Sequence, residues 1–155
     1  MNDNKINLKA IVDKAIVSFN SKEEYLIRND LSERCICSRF MLHLTNALKL
    51  TQYSDYVVDV EYNRGADGQE RNIKRIDNSP ITVDLIVHKR GYDCNNGLNN
   101  LICIEMKKST DRRGLDDDKE RLRKMTGYDY GFCYKTGLMI VIDIENKALV
   151  INEQF

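Results

Sequence analysis

In the stretch LICIEMKK, Glu105 and Lys107 stand two residues apart directly after the apolar run Leu101 to Ile104. On a strand this spacing puts both side chains on one face, about 6 to 7 Å apart, with Ile104 and Met106 turned into the opposite layer. A further acid, Asp84, falls inside ITVDLIVH, the segment Ile81 to His88, and a hairpin between the two segments would bring it alongside Glu105 and Lys107. Two carboxylates and an ammonium at the end of a half-buried hairpin are expensive to desolvate, and they persist more easily when a cation binds the carboxylates. Hard oxygen donors suit magnesium or manganese, which keep several waters and use only one or two protein carboxylates. The remaining coordination positions can hold a phosphate oxygen and a water, with Lys107 beside that water to orient it or to stabilise its deprotonated form. A Glu-x-Lys at a strand end is by itself a common pattern; a second acid in the preceding strand gives it weight. Glu33, four residues before Cys37 on the apolar face of an earlier helix, adds a third acid, and Glu61 a fourth, although Asp59 and Glu61 equally suit a solvent-facing side of their strand.

These residues must be positioned by the elements around them. Leu8, Ile11, Val12, Ala15, Ile16 and Phe19 recur at the helical period and predict a first amphipathic helix. Ser21 with Glu24 and Asp30 with Glu33 fit capping boxes, the second opening a long helix to about Leu48 whose core face carries Cys37, Phe40, Met41, Leu44 and Leu48. DYVVDVEY, Asp55 to Tyr62, alternates as a strand. Asn63 to Ser79 is polar and aperiodic and reads as a long loop; Arg90 to Asn100 has a turn composition and should join the strand Ile81 to His88 to LICIEMKK as a hairpin. Asp117 and Glu120 are expected to cap a helix ending at about Thr126, with Gly127 as a left-handed stop. Leu138 to Ile144 is apolar on both faces, as a buried strand would be, and Ala148 to Asn152 suits a short edge strand. The order predicts an α/β chain with a central mixed β-sheet flanked by helices, in a single domain over residues 1–155.

A chain of 155 residues, 42% hydrophobic, can bury one sizeable core. Its 24 acidic and 24 basic residues cancel, so any site for a polyanion must be a local patch. Lys107 to Lys124 supplies one, with eight basic residues against five acidic ones; Lys108, Arg112, Arg113, Lys119 and Arg123 are the candidate phosphate contacts, against the competing reading of an exposed helix with internal ion pairs. The polar loop adds Arg64, Arg71, Lys74 and Arg75. Nothing resembles a signal peptide or an apolar run long enough to span a bilayer, which predicts a cytoplasmic protein with no membrane partner. Cys35, Cys37, Cys94, Cys103 and Cys133 are odd in number and contain no Cys-x-x-Cys pair, so reduced thiols are expected. His43 and His88 have no serine or cysteine partner at a recognisable motif. Tyr128, Tyr130 and Tyr134 suit packing more than base stacking.

The order helix, strand, strand, strand, helix, strand, with Asp84 in the second strand and Glu105-Met106-Lys107 in the third, resembles the PD-(D/E)xK, or restriction-endonuclease-like, nuclease superfamily over roughly Asp30 to Ile144. Pro80 lies four residues before Asp84 instead of immediately before it. The resemblance implies an αβββαβ core with an extra N-terminal helix. It further implies Mg2+ or Mn2+ bound by Asp84 and Glu105, a contribution from the Met106 carbonyl, Lys107 assisting the attacking water, and Glu33 matching the family's first-helix acid. The expected activity is metal-dependent hydrolysis of phosphodiester bonds in DNA. The alternative is a nuclease-fold binding or assembly module without turnover. Small size and neutral charge suit a homodimer or a larger complex.

Overall fold

Asn7 begins α1 (Leu8–Lys22) by accepting the Lys9 N–H at 3.0 Å, and the helix buries Ile11, Val12, Ala15, Ile16 and Phe19. The computed structural model describes residues 7–64, 73–91 and 99–155; Arg71 of the polar loop and Cys94 of the expected turn lie outside them. A one-turn helix, α2 (Glu24–Arg28), leads to α3 (Glu33–Leu48), which buries Ile36, Cys37, Phe40, His43, Leu44 and Leu48. Both expected capping boxes are displaced. Ser21 belongs to the last turn of α1 and donates to the Ser18 carbonyl, and α3 is capped by Ser32, whose hydroxyl accepts the Cys35 N–H at 3.2 Å. Asp30 takes a left-handed backbone (φ 52°) after α2. Its carboxylate reaches the Lys108 ammonium at 2.7 Å instead of capping the helix.

The sheet comprises β1 (Val57–Val60), β4 (Leu85–His88), β5 (Asn100–Lys108), β6 (Thr136–Asp143) and β7 (Ala148–Gln154), in the order β1-β4-β5-β6-β7. Within it β5 and β6 are parallel and the other neighbours antiparallel, so the sheet is mixed, and α4 (Leu115–Thr126) makes the crossover between the parallel pair. The expected hairpin partners β4 and β5 do pair antiparallel. The segment read as a structureless loop contains a short hairpin, β2 (Arg75–Ile76) and β3 (Ser79–Pro80), turned by Asp77 (φ 49°) and Asn78 (φ 65°). Asp and Asn tolerate the left-handed region, and this pair was a two-residue turn signal that the surrounding polarity hid. β7 runs two residues further than expected, and the Asn20 amide clasps its outer edge, accepting from Leu149 N–H at 2.8 Å and donating to Leu149 O at 3.1 Å. A side chain that pairs with edge backbone in this way blunts the edge against a further strand.

Two apolar clusters sandwich the sheet. Ile102, Ile104 and Met106 of β5 join α1 and α3 on one face; Cys103 of β5 and Met139 of β6 meet Leu122, Met125 and Tyr134 on the other, beneath α4. Gly114, at φ 68°, starts α4 in a conformation that costs glycine little, whereas Gly127 (φ −73°) is not the left-handed residue that the sequence suggested. Gly137 lets α4 lie close to the sheet, since a Cβ there would stand 3.2 Å from Thr126 Cγ2 and 3.4 Å from Cys103 Sγ. This close approach brings the first two turns of α4 over Glu105 and Lys107. Among the described residues no helix is long and apolar enough to cross a membrane.

Candidate active site

Beyond His88 to Leu85 the strand β4 ends, and β5 continues without a neighbouring strand on that edge among the described residues. Two acids take the place of the missing strand: Asp84 Oδ2 accepts the Met106 N–H at 2.7 Å, and Glu33 Oε1 accepts the Lys108 N–H at 3.0 Å. A strand residue presents its N–H and C=O on the same edge, so the Met106 carbonyl opens beside Asp84. Asp84 stands immediately before β4, not within a strand as expected, and this is what frees its side chain to cap the edge. Continuing the register Leu85↔Ile104 one step sets Asp84 opposite Glu105, close enough for each carboxyl to perturb the other.

Glu105, 3% exposed, faces α4. Burial, then the Asp84 charge, pushes its carboxyl well above the usual range, with Arg121 opposing. Burial also raises Asp84, against the opposing effect of the Met106 N–H and Glu105. Lys107 lies on the same face of β5, 3.3 Å from Asp118 Oδ2 on α4. Burial disfavours its ammonium, but Asp118, with Glu33 and Asp111, overrides burial and leaves the pKa raised. Arg121, one turn after Asp118, donates from Nη1 to Glu105 Oε1 and to Asp118 Oδ1, the latter at 3.2 Å. Asp118 and Arg121 are therefore members of the site that sequence reasoning missed. Their i, i+3 spacing on a charged helix resembles an ordinary surface ion pair, and only the packing of α4 onto β5 turns them inward.

The other candidates separate. Glu61 has its backbone N–H on the Asp84 carbonyl, yet its left-handed φ of 50° turns its carboxylate away to Arg34, at 2.6 Å. Lys119 and Arg123 point to β7, Lys119 pairing with Glu153 at 2.6 Å and Arg123 lying over the Phe155 ring. Arg113 is held by Asp111 through three hydrogen bonds. Arg112 is exposed and, with Lys107, Lys108, Ser109 and Asn152, lines a cleft of about 330 Å³. His43 does have the serine partner that no motif announced: Ser18 Oγ is 2.9 Å from Nδ1, and Glu23 Oε1 is 3.1 Å from Nε2. Ser18 sits inside α1, where backbone N–H groups are consumed by the helix ladder and none remains to stabilise an oxyanion, so this chain of side chains is an interhelical clasp.

Among the described residues no three His, Cys, Asp or Glu side chains are gathered as a ready-made metal cage. The donor set that is gathered, the buried Glu105 carboxyl, the half-buried Asp84 carboxyl and a strand-edge carbonyl, fits a hard divalent ion that uses few protein ligands and retains water. Comparison of the chain with protein-family models, with curated proteins and with solved structures finds no match.

Proposed function

We propose that this chain is a metal-dependent nuclease of the restriction-endonuclease-like kind, acting on phosphodiester bonds in DNA. The observation that supports the reading is the approach of two desolvated carboxyls, Asp84 at the edge of β5 and Glu105 on the β5 face that also carries Lys107. Two carboxylates at such a place repel one another and favour a proton or a cation, a role that Arg121 fills at Glu105 in this structure. Asp84, Glu105 and the Met106 carbonyl would hold magnesium or manganese, which would polarise a phosphoryl oxygen and acidify a water. Met106 N–H fixes the rotamer of Asp84, so this ligand is oriented before an ion arrives. Lys107, whose ammonium Asp118 favours, would orient an attacking water and offset its developing negative charge.

Calorimetry with Mn2+ and cleavage assays on plasmid and single-stranded DNA test this. Asp84→Asn is expected to lose Mn2+. Lys107→Ala is expected to keep Mn2+ and lose about 10²-fold to 10⁴-fold in cleavage rate, with Lys107→Arg rescuing poorly because its planar fork places the charge differently. A wild type that binds no divalent ion would remove the metal. One that binds the ion yet cuts no nucleic acid would leave the non-catalytic binding module.

A further inference from the structure

Among the described residues Arg121 is the one cation hydrogen-bonded to Glu105, and it also borders an open cleft of about 560 Å³ on the side of α4 that faces the β2–β3 hairpin, where Lys124 is a second cation and Asp117 and Glu120 are acids. Its side chain is 27% exposed and lines that cleft, so the guanidinium is accessible from it. The oxygen that it occupies, Glu105 Oε1, belongs to the carboxyl that a divalent ion would need.

Resting on the nuclease reading above, we infer that Arg121 is an exchangeable counter-cation, which holds Glu105 while no divalent ion is bound and transfers to the scissile phosphate once an ion takes that carboxylate. Charge supports the exchange. Asp84, Glu105, Asp118 and Glu33 against Lys107 and Arg121 leave the ionised cluster two charges negative. A divalent ion brings it to neutral, so Glu105 then no longer needs Arg121 as its counter-charge. Guanidinium cannot discharge by losing a proton, so when displaced from Glu105 it keeps its full charge, with Asp118 Oδ1 still beside it and its remaining donors open to a further anion. Asp118 already spends its other oxygen on Lys107, whereas a phosphate offers two oxygens that match the planar fork. Arg121 would then touch the substrate directly, making it a catalytic residue, while Asp118 positions both cations.

The test titrates Mn2+ into wild type, Arg121→Gln, Arg121→Lys and Asp84→Asn without nucleic acid, and measures melting temperature and DNA cleavage at saturating Mn2+. Removing the competitor is expected to tighten Mn2+ binding by about tenfold in Arg121→Gln, while turnover falls by about 10²-fold, as for loss of one preorganised charge donor. Arg121→Lys keeps the charge without the fork and should fall between wild type and Arg121→Gln in both measures. A merely structural clasp predicts the opposite sign for the metal, with weaker Mn2+ binding alongside a lowered melting temperature. Arg121→Gln that binds Mn2+ no more tightly than wild type, or that binds it more tightly with undiminished turnover, overturns the assignment. If Arg121→Gln does not fold, Arg121→Lys decides, and wild-type values for both quantities overturn it. Asp84→Asn separates the two levels. If it retains Mn2+, the metal reading fails; if it loses Mn2+ while Arg121→Gln behaves as wild type, only the role of Arg121 fails.

Discussion

Glu105 is a carboxyl that the fold places where water cannot solvate its charge, and the consequence is measurable without any substrate. In the unfolded chain it releases its proton near its ordinary value of 4.5; in the folded chain burial and Asp84 hold that proton to higher pH. Between these two values the native state binds more protons than the unfolded state, so stability falls as pH rises through the window, with a slope of at most about 1.4 kcal/mol per pH unit for one group. Asp84 acts with the same sign. Urea unfolding in EDTA from pH 4 to pH 8 is therefore expected to show wild type losing stability relative to Glu105→Gln, which cannot ionise. Parallel curves for the two proteins would refute this. If Asp84 and Glu105 take up Mn2+ as proposed, the trend should reverse with the ion present, because it would displace the proton and bind more tightly as pH rises.

Between elements, the connection from β5 to α4 distinguishes two adjacent arginines that look alike in sequence. Arg113 spends its guanidinium on Asp111 while remaining 92% exposed, and Arg112 lines the cleft that contains Lys107 and Lys108. Each phosphate that a basic side chain neutralises releases condensed counterions and adds roughly one unit to the slope of log affinity against log salt. Arg112→Ala should lower that slope by one such increment in oligonucleotide binding with Ca2+ in place of a catalytic ion, and Arg113→Ala should leave it nearly unchanged. Equal slopes for wild type and Arg112→Ala would assign Arg112 to solvent. Lys119 and Arg123 belong to a different job, fastening α4 to Glu153 and Phe155 of the C-terminal strand region.

At the scale of the whole molecule, the β2–β3 hairpin is pinned over the sheet by Lys74, which is 8% exposed and donates from Nζ to Tyr134 Oη at 3.0 Å, with the Tyr62 and Tyr134 rings on either hand. Burial lowers its pKa to about 8, against opposing contributions from Cys103 and Asp59. Below that value the folded chain carries a buried ammonium at a cost of about 3 kcal/mol. Between about 8 and 10.5 the unfolded state binds more protons, so this cost is relieved and stability rises with pH. Lys74→Met, of similar length and apolar, should raise the melting temperature at pH 7 and remove that rise between pH 8 and pH 10. A variant less stable than wild type at pH 7 would show that the Tyr134 hydrogen bond outweighs the desolvation.

The sequence by itself determined the elements and the pairing of chemistry along β5. Apolar periodicity fixes α1 and α3, and strict alternation sends Ile104 and Met106 to one layer and Glu105 and Lys107 to the other, because a strand has no third direction. The turn composition after His88 was enough to predict the β4–β5 hairpin, and with it the approach of Asp84 to Glu105. The helix cap was misjudged by two residues at α3, since Asp30 and Ser32 have similar local fitness and Asp30 is committed to a long-range pairing with Lys108. Tertiary structure alone decided which charges enter the site. Glu61 is turned outward by its backbone, Lys119 and Arg123 are drawn to β7, and Asp118 and Arg121 are set onto Lys107 and Glu105 by the packing of α4 across the parallel pair β5 and β6. Charged residues on one helix are equivalent until a neighbouring surface selects a face, and that surface comes from residues distant in sequence.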